Sequence, residues 1–233
     1  RLAEPVPGVP DSDNLVIRAA KALATTTERP LPGVTIHIHK RLPMGGGLGG
    51  GSSNAATTLL AMNRLWELNL GEDQLAEIGL RLGADVPVFV RGHAAFGEGV
   101  GEKLTPTNPP EDWFVVLKPE CNISTGKIFS AEGLTRDTPK IKIRPAFEGD
   151  ASRYRNDCED VVRKLYPEVN QSLEWLSQFG PARLTGTGAC IFGRFPTESA
   201  ARIIWESKPS GITGFVAKGV NISPLHQKLT ELK

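Results

Sequence analysis

Cysteine is scarce in this chain and badly spaced for any cross-link or cage, since only Cys121, Cys158 and Cys190 occur. An odd number with no C-x-x-C pair suggests neither a disulfide framework nor a zinc site, and points to a reducing compartment. Net charge is nearly absent too: a formal +1 offers no field to recruit nucleic acid or anionic lipid. No run approaches the roughly 18 apolar residues of a membrane helix, and the first residues lack the charged, apolar and small-residue regions of a signal peptide. Cytoplasm is therefore the expected location, with neither nucleic acid nor membrane as partner. What remains is ordinary globular composition, 39% apolar and 23% charged, over 233 residues, enough for one large domain or two of ordinary size.

Periodicity then assigns elements. Residues 1–10 carry three prolines and no pattern, whereas Asp13 opens a helix with Val16, Ala19, Ala20 and Leu23 on one stripe. Val34, Ile36 and Ile38 alternate with Thr35, His37 and His39, which predicts a half-buried strand ended by Pro43. After a run of glycines a helix is expected from Ser52 or Ser53, with Leu59, Met62 and Trp66 at helical spacing. The next helix places Leu75, Ile78 and Leu82 inward, with Gly83 as a left-handed stop. Beyond Gly97 to Gly101 the pattern fades, and the stretch with Pro106, Pro109 and Pro110 reads as a linker, so domains of 1–104 and 105–233 are expected. Beyond it, strands at 113–117, 189–192 and 214–217 interleave with helices at 157–165, 168–176 and 198–205, predicting a two-layer α+β sandwich.

The most informative segment is Pro43-Met44-Gly45-Gly46-Gly47-Leu48-Gly49-Gly50-Gly51-Ser52-Ser53, with six glycines in seven positions between the predicted strand and helix. Glycine loses the most backbone freedom on folding, so such a run implies that bare backbone must approach something closely. Uncovered amides leading into a helix N-terminus make a pocket for phosphate oxygens, and the two serines add hydroxyls. The blander reading is a flexible linker, or tight turns with Ser52 as a helix N-cap. Gly45, Gly47 and Gly50 formally satisfy the dinucleotide pattern G-x-G-x-x-G, but any glycine run does. The Walker pattern fails because Ser52 stands where lysine is required, and neither H-R-D nor D-F-G occurs for a protein kinase.

Three further segments carry candidate chemistry. Asp85 precedes Val86-Pro87-Val88-Phe89, so its carboxylate, expected among apolar neighbours, can either orient and deprotonate a hydroxyl or cap the following helix. Thr185-Gly186-Thr187-Gly188 offers more amides and hydroxyls, or a simple hairpin turn. His37 and His39 share a strand face without a third ligand, and Lys40 at the strand end faces either nucleotide or solvent. No protein metal site is expected, and Mg²⁺ follows only from the need of phosphate groups held in such a pocket for a counter-cation.

The segment Pro43 to Ala56 resembles the P-x-x-x-G-L-G-S-S-A-A signature of the galactokinase, homoserine kinase, mevalonate kinase and phosphomevalonate kinase (GHMP) superfamily. The wording from Lys40 to Ala56, with Leu82 to Phe89, Asn156-Asp157 and Arg183 to Cys190, is similar to the diphosphocytidyl-methylerythritol kinases over essentially the whole chain. The resemblance implies an ATP-dependent kinase phosphorylating the 2-hydroxyl of cytidine diphosphate-linked methylerythritol, in isoprenoid-precursor synthesis. It implies a two-domain GHMP-kinase-like α+β fold: an ATP-binding α/β domain, a ferredoxin-like sandwich, and the site in the cleft between them. Asp85 then matches the family's base, residues 43–53 bind ATP, and Gly186, Thr187 and Gly188 close over the phosphate end. Ser124 to Phe129 resembles the S-T-x-x-I-F segment, so Thr125 and Phe129 are expected to hold substrate, against the plainer alternative of an N-cap and a core phenylalanine. The family's P-A-K-x-N strand and G-Y-H segment do not occur here, so roughly fifty leading residues, with a catalytic lysine, are expected to precede Arg1. A monomer or weak homodimer is expected. Another GHMP small-molecule kinase, a non-catalytic nucleotide-binding fragment and a Rossmann oxidoreductase are the competing readings; Glu67 and Glu72 lie near the spacing the last requires.

Overall fold

The computed structural model describes residues 1–139 and 155–231, which fall into two compact units. One unit comprises Arg1–Arg41, Gly49–Asn108 and the C-terminal segment from Val220; the other comprises Leu42–Leu48 and Pro109–Gly219. No helix among the described residues is long and apolar enough to cross a membrane.

The first unit is built on helices α1 (Leu15–Ala24), α2 (Gly50–Leu65), α3 (Glu72–Leu82) and α4 (Val86–Arg91). The apolar stripe of α1 is buried at Val16, Ala19 and Leu23, and its N-terminus is capped by Asn14, whose side chain accepts from the Val16 amide. Leu23, Leu59, Val86 and Val90 are fully buried in one cluster that joins all four helices. Each buried Leu in such a cluster contributes about 1.5–3 kcal/mol from water exclusion. Trp66, just beyond α2, is also buried, and its indole N–H donates to the Pro32 carbonyl at 3.1 Å. A hairpin of β1 (Ala95–Glu98) and β2 (Lys103–Pro106) follows.

The second unit contains β3 (Trp113–Lys118), α5 (Thr125–Phe129), α6 (Glu159–Leu165), α7 (Pro167–Ser177), β4 (Ala182–Leu184), β5 (Ile191–Phe195), α8 (Glu198–Glu206) and β6 (Thr213–Lys218). Its sheet has the order β4-β5-β3-β6 with all neighbours antiparallel, the βαββαβ pattern of a ferredoxin-like sandwich. Strand periodicity divides the sheet: Val115, Leu117, Ile191 and Phe195 face a core shared with Val162, Leu173, Leu176 and Ala201 of the helices. On the opposite face the Phe114 and Phe192 rings lie 6.0 Å apart. The last helix, α9 (Pro224–Glu231), belongs to the first unit, where Arg64 donates to the Leu229 carbonyl at 2.9 Å.

Four local expectations are corrected. Residues 34–38 show the expected alternation of burial, yet among the described residues only Ile36 is bridged, to Leu2. An extended segment becomes a strand only with a partner ladder, and one bridge is not a ladder. Gly83 has φ 177° and is extended, because the chain must turn at once into α4; the left-handed stop is Gly92, at φ 66° after α4. Helix α2 begins at Gly50, earlier than either serine, because Gly49 takes the left-handed conformation at φ 65° and accepts from the Ser53 amide at 2.8 Å. Residues 103–106, at the start of the expected linker, are instead a hairpin strand, because Glu98 and Lys103 pair across a Gly-containing turn, while the chain passes from one unit to the other at Asn108–Pro109, within the proline stretch.

Since Leu59 is fully buried where α2 meets α4, Leu59→Ala is expected to cost about 2–5 kcal/mol by leaving a cavity. Chemical denaturation should show this as a lower midpoint with an unchanged slope.

Candidate active site

The glycine run divides into two differently held parts. In its first part, the Gly45 carbonyl accepts from the Ala189 amide at 3.2 Å, and the Gly46 carbonyl accepts from the Cys190 amide at 3.2 Å and from Thr185 Oγ1 at 2.7 Å. Gly47 has φ 70°, and a Cβ there would lie 2.4 Å from the Thr185 carbonyl oxygen. Gly46 and Gly47 are therefore needed first for close contact with the chain itself, whereas a Cβ at Gly45 would meet nothing within 4 Å. Cys190 packs beside Gly46, fully buried, and that burial pushes its thiol up to about 11.

In its second part the run enters α2. Gly49 precedes the helix without any side-chain cap, so the first-turn amides of Gly50, Gly51 and Ser52 have no partner supplied by a capping group. A Cβ at Gly49 would touch the Phe89 ring at 3.0 Å, which seats the start of α2 against α4. Ser52 lies on the side of Gly83, since a Cβ at Gly83 would sit 3.9 Å from Ser52 Oγ. Pro43, Leu48 and Ser53 are half-buried, while Met44 is exposed.

Asp85 stands at the N-cap position of α4, with φ −84° and ψ −9°, but its side chain makes no capping bond. Its carboxylate is exposed, contrary to the apolar surroundings expected for it, because only Val86, Pro87 and Val90 turn into the core. Those buried residues fix the backbone while leaving the carboxylate uncommitted. Phe89, one turn further along α4, is the ring under Gly49, so the fold brings Asp85 and the N-terminus of α2 into one neighbourhood.

Thr185 to Gly188 lies in the hairpin turn that the sequence allowed. It connects β4 to β5, closing with Thr185 N donating to the Cys190 carbonyl at 2.9 Å, and it abuts Gly45 to Gly47. Thr187 is buried and its hydroxyl is 3.0 Å from that of Thr125, so two of the expected substrate residues meet. The N-cap of α5 is Ser124, and Phe129 is 54% exposed, which overturns the core-phenylalanine alternative. Gly186 and Gly188 hold positive φ in the same loop. His37, His39 and Lys40 are exposed, and among the described residues no group of three or more His, Cys, Asp or Glu side chains could hold a metal.

Two contributors were legible in the sequence only as parts of motifs, with no role of their own. Thr185 bolts the second loop to Gly46, and Asn156 donates to the carbonyls of Leu184 at 3.2 Å and Gly186 at 2.6 Å. An Asn just ahead of a helix signals only a turn or cap. Next to it, donation from Thr138 and then Arg155 holds the Asp157 carboxylate below the usual carboxylate range.

Two stability outcomes follow. Gly47→Ala forces a Cβ into the Thr185 carbonyl at a left-handed position and should lower the melting temperature, with a cost of about 1–2 kcal/mol for the backbone conformation alone. A depressed carboxylate contributes stability above its unfolded value and loses it as the pH falls through the folded one. Asp157→Asn should therefore flatten the dependence of melting temperature on pH below the ordinary value of 3.8, read by thermal denaturation across an acid series.

Comparison with known proteins gives the family. Residues 14–93 match the GHMP kinases N terminal domain and residues 142–207 the GHMP kinases C terminal domain. The chain is 97% identical over its full length to the 4-diphosphocytidyl-2-C-methyl-D-erythritol kinase of Marinobacter nauticus, spanning 81% of that relative. It is 55% identical to the kinase of the same name from Hahella chejuensis, covering 98% of this chain and 78% of that one. A crystal structure of 4-(cytidine 5'-diphospho)-2C-methyl-D-erythritol kinase superposes with a TM-score of 0.78 at 30% identity, covering 94% of this chain and 81% of the other. Homoserine kinase from Cytophaga hutchinsonii, at 16% identity, TM-score 0.73 and coverage of 93% and 79%, shares the fold alone. With identity of this order carried across both units, the chain belongs to the 4-diphosphocytidyl-2-C-methyl-D-erythritol kinase family of the GHMP kinases.

Proposed function

We propose that this protein transfers the γ-phosphoryl group of ATP to the 2-hydroxyl of 4-diphosphocytidyl-2-C-methyl-D-erythritol, a step of isoprenoid-precursor synthesis. The observation that carries this reading is a pair of features in one neighbourhood: an uncapped, glycine-lined start of α2, and a carboxylate at Asp85 free of any capping duty. Phosphoryl transfer asks for positioning and charge balance more than for covalent chemistry by the protein. The amides around Gly45 to Ser53 receive the phosphate oxygens, helped by the partial positive charge of the helix N-terminus. Asp85 accepts the proton of the acceptor hydroxyl as its oxygen bonds to the γ-phosphorus. The bond from that phosphorus to the β–γ bridging oxygen breaks, and ADP leaves.

The cytidine-bearing substrate is held by Thr125, Thr187 and the exposed Phe129 ring, with Gly186 and Gly188 lending backbone. An aromatic face left in water is costly unless a ligand covers it, and a pyrimidine ring is a fitting cover. Magnesium accompanies ATP, neutralising phosphate charge when bound. The described residues offer no cluster of three or more His, Cys, Asp or Glu side chains for it; Ser52 and Ser53, in the first turn of α2, are the hydroxyls that would help hold it beside the phosphates.

Two substitutions test the assignment. Asp85→Asn should lower kcat by about 10²–10⁴-fold while a non-hydrolysable ATP analogue still binds. Gly50→Asp puts a carboxylate where the helix dipole welcomes it, so folding should be retained, yet it places negative charge where phosphate would sit. Calorimetry should find nucleotide binding lost in this variant. Turnover unaffected by both changes would refute the site.

A further inference from the structure

A trans peptide aims its carbonyl and its following N–H in opposite directions. Binding the carbonyls of Gly45 and Gly46 therefore turns the N–H groups of Gly46 and Gly47 away from the loop that holds them. Three donors do this: the amides of Ala189 and Cys190, at 3.2 Å each, and Thr185 Oγ1 at 2.7 Å. Only the last is a side chain, and it reaches across 139 residues of sequence. It also accounts for the exactness required at Gly47, whose α-carbon faces the Thr185 carbonyl with no room for a Cβ.

Thr185 is itself clamped. Asn156 Nδ2 donates to the carbonyl before it, Leu184, at 3.2 Å and to the one after it, Gly186, at 2.6 Å. The same amide group is oriented from behind, since its Oδ1 accepts from the Cys158 N–H at 3.0 Å, at the start of α6. Glu159 adds a bond to the Leu184 amide at 3.1 Å. The start of α6 is thus joined through the side chains of Asn156 and Glu159 to the end of β4 and the Thr185 loop, and that loop through one hydroxyl and two amides to the glycine run.

We propose that Thr185 and Asn156 are positioning residues for phosphoryl transfer: they set the direction of the Gly46 and Gly47 amides, and so the affinity for the phosphates of ATP. This rests on the reading of the glycine run as the phosphate cradle. Neither residue needs to touch nucleotide. An unaimed loop must order itself on binding, which weakens affinity without altering the chemistry that follows.

The test uses the full chain with three variants, Thr185→Val, Thr185→Ser and Asn156→Ala, and Gly50→Asp as the control for the cradle. KM for ATP, kcat, melting temperature and calorimetric affinity for a non-hydrolysable ATP analogue are measured for each. Thr185→Val keeps the shape and loses the donor, so KM and the dissociation constant should rise about tenfold, equivalent to about 1.4 kcal/mol, with kcat changing much less. Thr185→Ser restores the hydroxyl and should return both toward the starting values. Asn156→Ala should act in the same direction and combine with Thr185→Val to less than the sum, because both release one loop. Should Asn156→Ala fail to fold, the Val and Ser pair at Thr185 decides the matter. Nucleotide affinity unchanged in Thr185→Val but lost in Gly50→Asp overturns the positioning role alone. Affinity unchanged in both overturns the cradle beneath it. A lowered melting temperature with no change in KM assigns Thr185 to stability and also overturns the proposal.

Discussion

A peptide plane offers its carbonyl to one side and its N–H to the other, so a backbone loop can present its N–H groups to an anion only where its carbonyls are turned the other way. In the second unit that constraint is met by the β4–β5 hairpin, whose connecting loop donates to Gly45 and Gly46. The hairpin can do so because β5 is an interior strand, paired to β3 as well as β4, and because its inward residues Ile191 and Phe195 are packed against α7. The ferredoxin-like sandwich is thus the support of a few carbonyl contacts. Glycine is required where those contacts are closest, at Gly47, for reasons of space as much as of conformation.

The first unit solves a different problem. A carboxylate that is to take a proton must be held in place by its backbone and left free at its tip. Asp85 satisfies both conditions because Val86 and Val90 are fully buried beneath it while its own side chain caps nothing. The start of α2 is likewise fixed from below, through Ala55, Ala56 and Leu59, and left uncapped above. Hydrophobic burial supplies the rigidity in both cases, and the polar groups are spared for other use.

Helices were readable from the chain because their period is local. Val16, Ala19 and Leu23 predicted α1, and all three are buried. Strands were readable only where a partner existed: residues 113–117 lie in β3, between two neighbours, whereas the equally regular 34–38 carries a single bridge. The glycine run, Asp85 and the second loop stood out because their composition is costly or unusual. Their occupants' exact conformations did not, since Gly83 and Gly92 are indistinguishable as residues and differ only in where the chain must go next.

The sequence by itself determined the family, the helical faces and the segments proposed to carry the chemistry, because each of these is written in short-range pattern and residue type. The tertiary structure alone decided that Thr185 and Gly46 are bonded, that Asn156 brackets Thr185, and that Asp85 is exposed and uncapped. Those facts depend on residues far apart in the chain meeting at hydrogen-bond distance, and no local propensity encodes such a meeting; it arises only when a core of buried side chains has fixed both partners in space.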